Sequence, residues 1–404
     1  MEKIQNQQHT KETFYYAVSR MFERASYYGF RALLVLYMIG ETLKMTTAEA
    51  LSLYGWITFS LIFSQIIGAL LGDLIIGNKK TMLFGGIIQA IGAFSICIPS
   101  KTGLYVGLFL VILGSGFFTP NIIANFGKSY LNKTKLLDSG FTIFYLAVNL
   151  GSILGTFFIG YLGETFGYPI GFITSGILVI FSLIPILVSK EIATETIEKS
   201  KLSMDKRVIN ILIAFLVVGL FWGIYEMSGI RVFDLQMKFG EISALTISKS
   251  MWQSVSTIFL IPISLIAIVL WTYFYNSQSF KLMLGFIFGI VSFGLLFFIP
   301  EVPTEQHAMI YLLSLFFLGA SEIHIAPVIH SILTKYSNPK YLAILVSLAF
   351  IPTRLFSSVF GLFNDKFYDN PTLGLILGII LMTITALVLM GYILWNKNST
   401  GSQV

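Results

Sequence analysis

The sequence predicts an all-α membrane protein with 12 transmembrane helices in two six-helix bundles, and three observations predict it. Of its 404 residues, 55% are hydrophobic and only 11% are charged, against about 45–50% and about 25% in an ordinary soluble domain. The apolar residues gather in runs long enough to cross a hydrocarbon core of about 30 Å, which takes about 20 helical residues. Twelve such runs occur, and one polar connector, KEIATETIEKSKLSMDKR at 190–207, separates six from six. Too few charged groups remain to coat a globule of this size in water, which excludes the soluble class. The 37 Phe, 19 Tyr and 35 Gly follow no short period, which excludes collagen-like and low-complexity chains.

In chain order the spans fall near 14–39, 48–75, 82–99, 103–126, 138–161 and 168–189, then 208–232, 249–272, 281–299, 308–334, 341–364 and 372–395, each bounded by polar, Gly or Pro breaks. None alternates with a period of two, so a β-barrel is excluded and helices are the structure lipid permits. The expected organisation is one bundle over 1–189, a cytoplasmic linker over 190–207 and a second bundle over 208–404. With both termini in the cytoplasm, sixteen Lys and Arg face inward, Lys128 and Lys281 among them, and five face outward: Lys44, Lys101, Lys238, Lys249 and Lys366. The polar opening MEKIQNQQHTKET shows no cleavable signal, so the first helix is expected to stay attached. Cys97 is the one cysteine, which leaves no intrachain disulfide and no cysteine metal cluster. The net charge of +6 is scattered between apolar runs rather than gathered in a stripe, so no nucleic-acid partner is expected.

Charges inside the hydrocarbon layer are costly, and those that persist are paired or face a wet cavity. In RMFERASYYGFR, spacings of 3, 4, 7 and 8 bring Arg20, Glu23, Arg24, Tyr27, Tyr28 and Arg31 onto one broad face of the first span. That face either holds structural ion pairs or lines a cavity. Glu322 lies near the middle of its span, too far from either interface to reach water, and needs a partner. Nearby Pro327 removes a backbone donor and marks either a transport site or a packing kink. Asn149 in FYLAVNLGS lines a pocket or joins helices. Glu226 and Arg231, five residues apart in the seventh span, face differently and are expected to pair with other helices as an external gate, with interfacial anchoring the alternative for Arg231. Arg354 stands near the centre of the eleventh span.

Five intramembrane arginines against Glu23, Glu226 and Glu322 leave about two positive charges in surplus, which favours an anionic or carboxylate-bearing ligand. His324 and His330 belong either to a proton relay or to ordinary polar packing. No nucleotide loop, metal-ligand cluster or nucleophile–base arrangement stands out, so an ion gradient rather than ATP is the expected drive and no enzyme is expected.

The segment GDLIIGNKKT at 72–81 resembles the loop between the second and third helices of major facilitators, whose twelve spans in two halves bind ligand at the midplane. ERASYYGFRALLVLYM at 23–38 resembles the first-helix signature of the proton-dependent oligopeptide transporter (POT) family: a Glu, two residues, Glu-Arg-Phe, one residue and Tyr-Tyr-Gly. GSGFFTPNIIANFGKSY at 114–130, FYLAVNLGS at 144–152, FWGIYE at 221–226 and SEIHIAP at 321–327 resemble that family's fourth, fifth, seventh and tenth helices. The resemblance implies that Arg24 and Arg31 hold a peptide carboxylate, that Tyr27, Tyr28 and Asn149 line the pocket, and that Glu322 receives the ammonium. It further implies proton coupling at Glu23 and Glu322, with Arg20, Glu226, Arg231 and Arg354 left as gating or buried charges.

The chain also departs from the pattern. The family's first motif glutamate falls at Arg20, and the fourth-helix lysine before Pro-Asn falls at Thr119, which removes an oppositely charged pair that takes part in proton coupling. Their joint replacement reads as a coordinated rewiring. Met227 stands where a Gln is usual, Arg354 is an unusual cation, and no room exists for two extra helices between the halves.

The expectation is a secondary active transporter that imports di- or tripeptides, or related small carboxylate compounds, by alternating access. Protons are its coupling ion, with no other cofactor, and it works as a monomer among the lipids of the cell inner (cytoplasmic) membrane. The alternatives are a non-peptide organic anion uniporter, exchanger or exporter of the same family, and, from another class, a transport-dead membrane receptor or scaffold. The surplus arginines support the first and the short loops argue against the second.

Overall fold

A computed structural model describes residues 8–190, 203–242 and 249–401. Among the described residues every regular element is helical. Residues 191–202, most of the expected linker at 190–207, lie outside them. By inter-residue contacts the chain divides into one unit of Met1–Leu202 with Leu333–Leu348 and another of Ser203–Ile332 with Ala349–Val404.

The first unit contains α1 (Lys11–Ile39), α2 (Thr47–Leu70), α3 (Asn78–Ile96), α4 (Lys101–Lys128), α5 (Leu137–Phe166) and α6 (Tyr168–Val188). It also takes in the end of α10 (Ala308–Tyr336) and all of α11 (Leu342–Leu348). Local chemistry sets the helix starts. Thr46 and Glu49 satisfy each other's backbone N–H groups in a capping box at α2, and Ser100 accepts from the Gly103 N–H at α4. A π-helical turn, Leu71–Ile76, prolongs α2 until Gly77, whose φ of 88° is a conformation glycine adopts without strain. Close helix approach organises the interior: on α5, Gly155 lies so near α1 that a Cβ there would stand 1.9 Å from the Ala25 carbonyl oxygen.

The second unit contains α7 (Met204–Phe239), α8 (Lys249–Tyr273), α9 (Gln278–Leu295), the greater part of α10, then α12 (Phe350–Gly361), α13 (Asn364–Asp369) and α14 (Pro371–Gly401). Phe356 and Phe360 of α12 fill the notches left by Gly219 and Gly223 of α7. The eleventh span, expected as one helix over 341–364, is interrupted between Leu348 and Phe350. Pro352 has no N–H to offer the Leu348 carbonyl, and the break falls where that bond is lost.

Among the described residues ten helical stretches are long and apolar enough to cross a membrane. The other two of the twelve expected spans are α1, which carries Arg20, Glu23, Arg24 and Arg31, and α3, which opens on Lys79 and Lys80. Large apolar side chains such as Phe109, Phe158, Leu187 and Val388 are exposed, as lipid-facing positions require.

Candidate functional site

Helical spacing delivers the charged face of α1 as one connected cluster. Glu23 is fully buried and both its oxygens are engaged. Oε2 accepts from Arg24 Nε at 2.7 Å and Arg20 Nη1 at 2.9 Å, and Oε1 accepts from Arg24 Nη2 at 2.5 Å. The Arg24 fork matches the carboxylate bidentately, the strongest geometry such a pair can take. Gln89 of α3 also reaches Glu23. Arg20 Nη1 donates to Thr119 Oγ1 of α4 at 3.2 Å, and its guanidinium lies 5.9 Å from the Phe144 ring centre on α5. Arg24 stacks on Tyr27 at 4.4 Å.

One turn further on, Arg31 takes a different partner. It donates to the Tyr54 hydroxyl of α2 through Nε at 2.6 Å and through Nη2, and lies 5.5 Å from the Tyr27 ring centre. Among the described residues it meets no carboxylate. Beside it a pocket is lined by Tyr27, Phe30, Tyr54, Ile57, Thr58 and Leu108. Arg20 Nε and Asn149 Nδ2 are among the buried donors of this unit that have no hydrogen-bond partner among the described residues. Such orphans are expensive inside a protein, and sites that receive a ligand are one reason they persist.

In the second unit Glu322 is buried on α10 and lies within electrostatic reach of Tyr225 on α7. His324 is placed in polar packing: its Nδ1 donates to the Ala320 carbonyl at 2.7 Å, and the ring sits edge-on to Trp271 and Phe288 at 5.4 and 5.2 Å. Lys281, expected as an inward-facing loop cation, is instead fully buried near the start of α9, with Nζ 4.6 Å from the Trp271 ring centre. Four apolar methylenes and an aromatic face make that burial tolerable for a lysine.

Among the described residues neither Glu226 nor Arg231 takes an ionic partner on another helix, as the expected gate would have it. Arg231 pairs with Asp234 on its own helix at 2.6 Å and donates to the carbonyls of Ile299 and Pro300 at 3.0 and 3.2 Å. Three residues apart, Arg231 and Asp234 share a face, and Asp234 also holds Lys238 at 2.9 Å. Glu226 and Arg354 are exposed and enter no ion pair among the described residues.

Sequence reasoning noticed GDLIIGNKKT but missed the network built on it. Asp73 accepts from Asn78 Nδ2 at 3.0 Å and from the Ile344 N–H at 2.9 Å, with Lys128 Nζ 3.8 Å away. Asn78 in turn accepts from Lys128 Nζ at 2.6 Å and donates to Asn121 at 2.7 Å. Gly72 is obligatory there, since a Cβ would stand 1.7 Å from Asn121 Oδ1. Lys128, at the end of a span, was the available signal; only its counting as a loop charge hid it.

Membrane-crossing helices around buried, paired charges define a multi-pass membrane protein with the all-α fold of the major facilitators. A family model described as the POT family matches residues 79–206. The uncharacterized transporter YclF of Bacillus subtilis (strain 168) is 26% identical over 465 residues, covering 95% of this chain and 93% of that protein. The di-/tripeptide transporter of Lactococcus lactis subsp. lactis (strain IL1403) is 33% identical over 198 residues, which cover 45% of this chain and 39% of that protein. A crystal structure of a POT family transporter in complex with 5-aminolevulinic acid superposes with a TM-score of 0.66 at 18% identity, covering 96% of this chain and 97% of that one. Over these stretches the chain is similar to members of the POT family, and its fold is like theirs.

Proposed function

We propose that the protein is a secondary active transporter that imports di- or tripeptides or related small carboxylate compounds by alternating access. It works as a monomer in the cell inner (cytoplasmic) membrane with both termini cytoplasmic, and protons are its coupling ion. The observation that carries this reading is Arg31, a partly buried guanidinium beside a pocket, held by the phenol of Tyr54 and by no carboxylate among the described residues. Such a group is a receiver for a carboxylate. Arg24 assists it and Tyr27 lines that pocket, while Tyr28 and Asn149, which are not part of its lining, bond the peptide backbone, Asn149 through an Nδ2 without a partner among the described residues. Glu322 takes the ammonium and, when no substrate holds it, the coupling proton. Relatives named as di-/tripeptide transporters and a family structure with 5-aminolevulinic acid, which carries both an amine and a carboxylate, support this substrate class.

Proteoliposomes test it directly. Preloaded Ala-Ala should exchange with external labelled Ala-Ala, and an imposed inward proton gradient should concentrate the label inside. Exchange without gradient-driven uptake would remove the proton and leave the carrier; no exchange of any peptide would remove peptide carriage.

A second reading, a non-peptide organic anion carrier of the same family, is favoured by one observation: against the three arginines Arg20, Arg24 and Arg31 of α1 stands a single carboxylate, Glu23, which pairs with Arg20 and Arg24 while Arg31 is held by Tyr54. A thermal-shift screen of dipeptides against organic acids separates the two, because a ligand of the folded state raises its apparent stability.

A further inference from the structure

We infer that Arg20 makes Glu23 a fixed structural anion, so that Glu23 exchanges no proton and any coupling proton must be carried by another group. The argument starts from saturation. Glu23 Oε2 already accepts two guanidinium N–H groups and Oε1 a third, and the side chain is fully buried. A proton arriving on either oxygen would replace a charge-assisted acceptor with a group that must itself donate. It would also leave two buried guanidiniums beside each other without an anion, and removing one partner of a buried pair is the most damaging change such a pair can suffer.

The surroundings offer no relief. On α1 the neighbours of Glu23 are Arg20, Arg24, Tyr27 and Tyr28; α3 presents Gln89; α4 presents Ser115 and Thr119; α5 presents Phe144 to Arg20; and on α6 Ser175 is bonded to Ser26. None of the groups from the other helices is a carboxylate, a lysine or a histidine. Thr119 Oγ1 instead holds Arg20 Nη1 in place, at 3.2 Å, so the second guanidinium is tethered to α4 and stays on Glu23. With one arginine the pair would be balanced. With two it carries a surplus positive charge that only an incoming anion, and never a proton, can compensate. The consequence for coupling rests on the transporter reading above, whereas the assignment of Glu23 itself does not.

The test uses the full chain in lipid and needs no substrate. Glu23→Gln mimics the protonated carboxyl, so it should melt well below the wild type, and adding Arg20→Gln should recover part of the loss by removing the uncompensated cation. Infrared titration from about pH 8 to about pH 5 should show in the wild type no protonated-carboxyl band that is missing from Glu23→Gln. If the single variant gives no folded protein, the double variant should fold. The inference is overturned if Glu23→Gln melts like the wild type, if the wild type shows a titrating band that Glu23→Gln removes, or if the double variant is no more stable than the single one.

Discussion

Asp73 Oδ2 accepts the backbone N–H of Ile344 at 2.9 Å, across 271 residues of sequence. The carboxylate thereby occupies one of the donors that the first turn of α11 leaves without an intrahelical partner, and its negative charge lies where the helix end is positive. Its other oxygen serves Asn78, with buried Lys128 3.8 Å away. Asp73→Asn keeps the shape and removes the charge, so it should cost about 3–5 kcal/mol, the range for breaking one side of a buried pair. A lowered melting temperature together with faster amide exchange at Ile344 is the expected outcome. Wild-type exchange at that amide would show that the contact does not hold α11.

That contact also marks the limit of what the chain discloses by itself. Hydrophobic runs located the helices because lipid imposes the same length on every span, and the face of α1 was legible because 3.6-residue spacing is rigid. Partners chosen in three dimensions were not legible. Arg231 was sent to another helix, yet Asp234, three residues on, was within reach all along. Lys281 and Lys128 counted as loop charges since both stand near span ends, where a few residues decide between water and a buried ring or amide. The break at Leu348 was written in Pro352, but a proline inside an apolar run bends a helix as often as it interrupts one. The exposure of Glu226 and Arg354 depends on which face each helix turns outward, a choice made by packing such as that of Phe356 and Phe360 against Gly219 and Gly223 and not readable from the charges themselves.

Those notches are themselves testable. Gly155 of α5 admits the α1 backbone so closely that a methyl group would stand 1.9 Å from Ala25 O, whereas a methyl at Gly160 meets nothing within 4 Å. Overpacking against a side chain typically costs about 1–3 kcal/mol, and backbone yields less than a side chain. Gly155→Ala should therefore lose at least about that much stability in thermal melts, with Gly160→Ala within about 0.5 kcal/mol of wild type. Equal effects at the two positions would mean that α1 and α5 are not held this close.

Outside the spans, His9 carries a pH dependence. Its Nδ1 meets the Tyr130 hydroxyl at 2.7 Å, Thr13 Oγ1 meets the same hydroxyl at 2.6 Å, and His9 Nε2 is buried without a partner. Burial, and then the charge of Lys133, push the imidazole below its ordinary value of 6.5. An undocked segment thus binds a proton that the docked segment refuses. Docking is at full strength above about pH 6.5 and weakens as pH falls through that value, since protonation pulls toward the undocked state. Amides around residues 9–13 should exchange faster at about pH 5 than at about pH 7.5, after correction for intrinsic rates, and His9→Gln should flatten the profile. A profile unchanged by His9→Gln would assign the effect to another group.

The ammonium site proposed at Glu322 can be tested by one substitution. It is buried on α10 beside Tyr225, in a helix that continues through Pro327, and its short side chain cannot reach an interface. Glu322→Gln preserves volume and hydrogen bonding while deleting the charge, so its effect isolates the ionic part of the contact. Hydrogen bonds to charged groups are worth about 1.5–3 kcal/mol, which corresponds to about a tenfold to hundredfold loss in the uptake of free-amine dipeptides. Labelled Ala-Ala uptake into proteoliposomes measures it, with Tyr225→Phe as a control that keeps the carboxylate. If Glu322→Gln transports free-amine peptides at the wild-type rate, Glu322 neither receives the ammonium nor carries the coupling proton, and the organic anion reading gains the ground that peptide carriage loses.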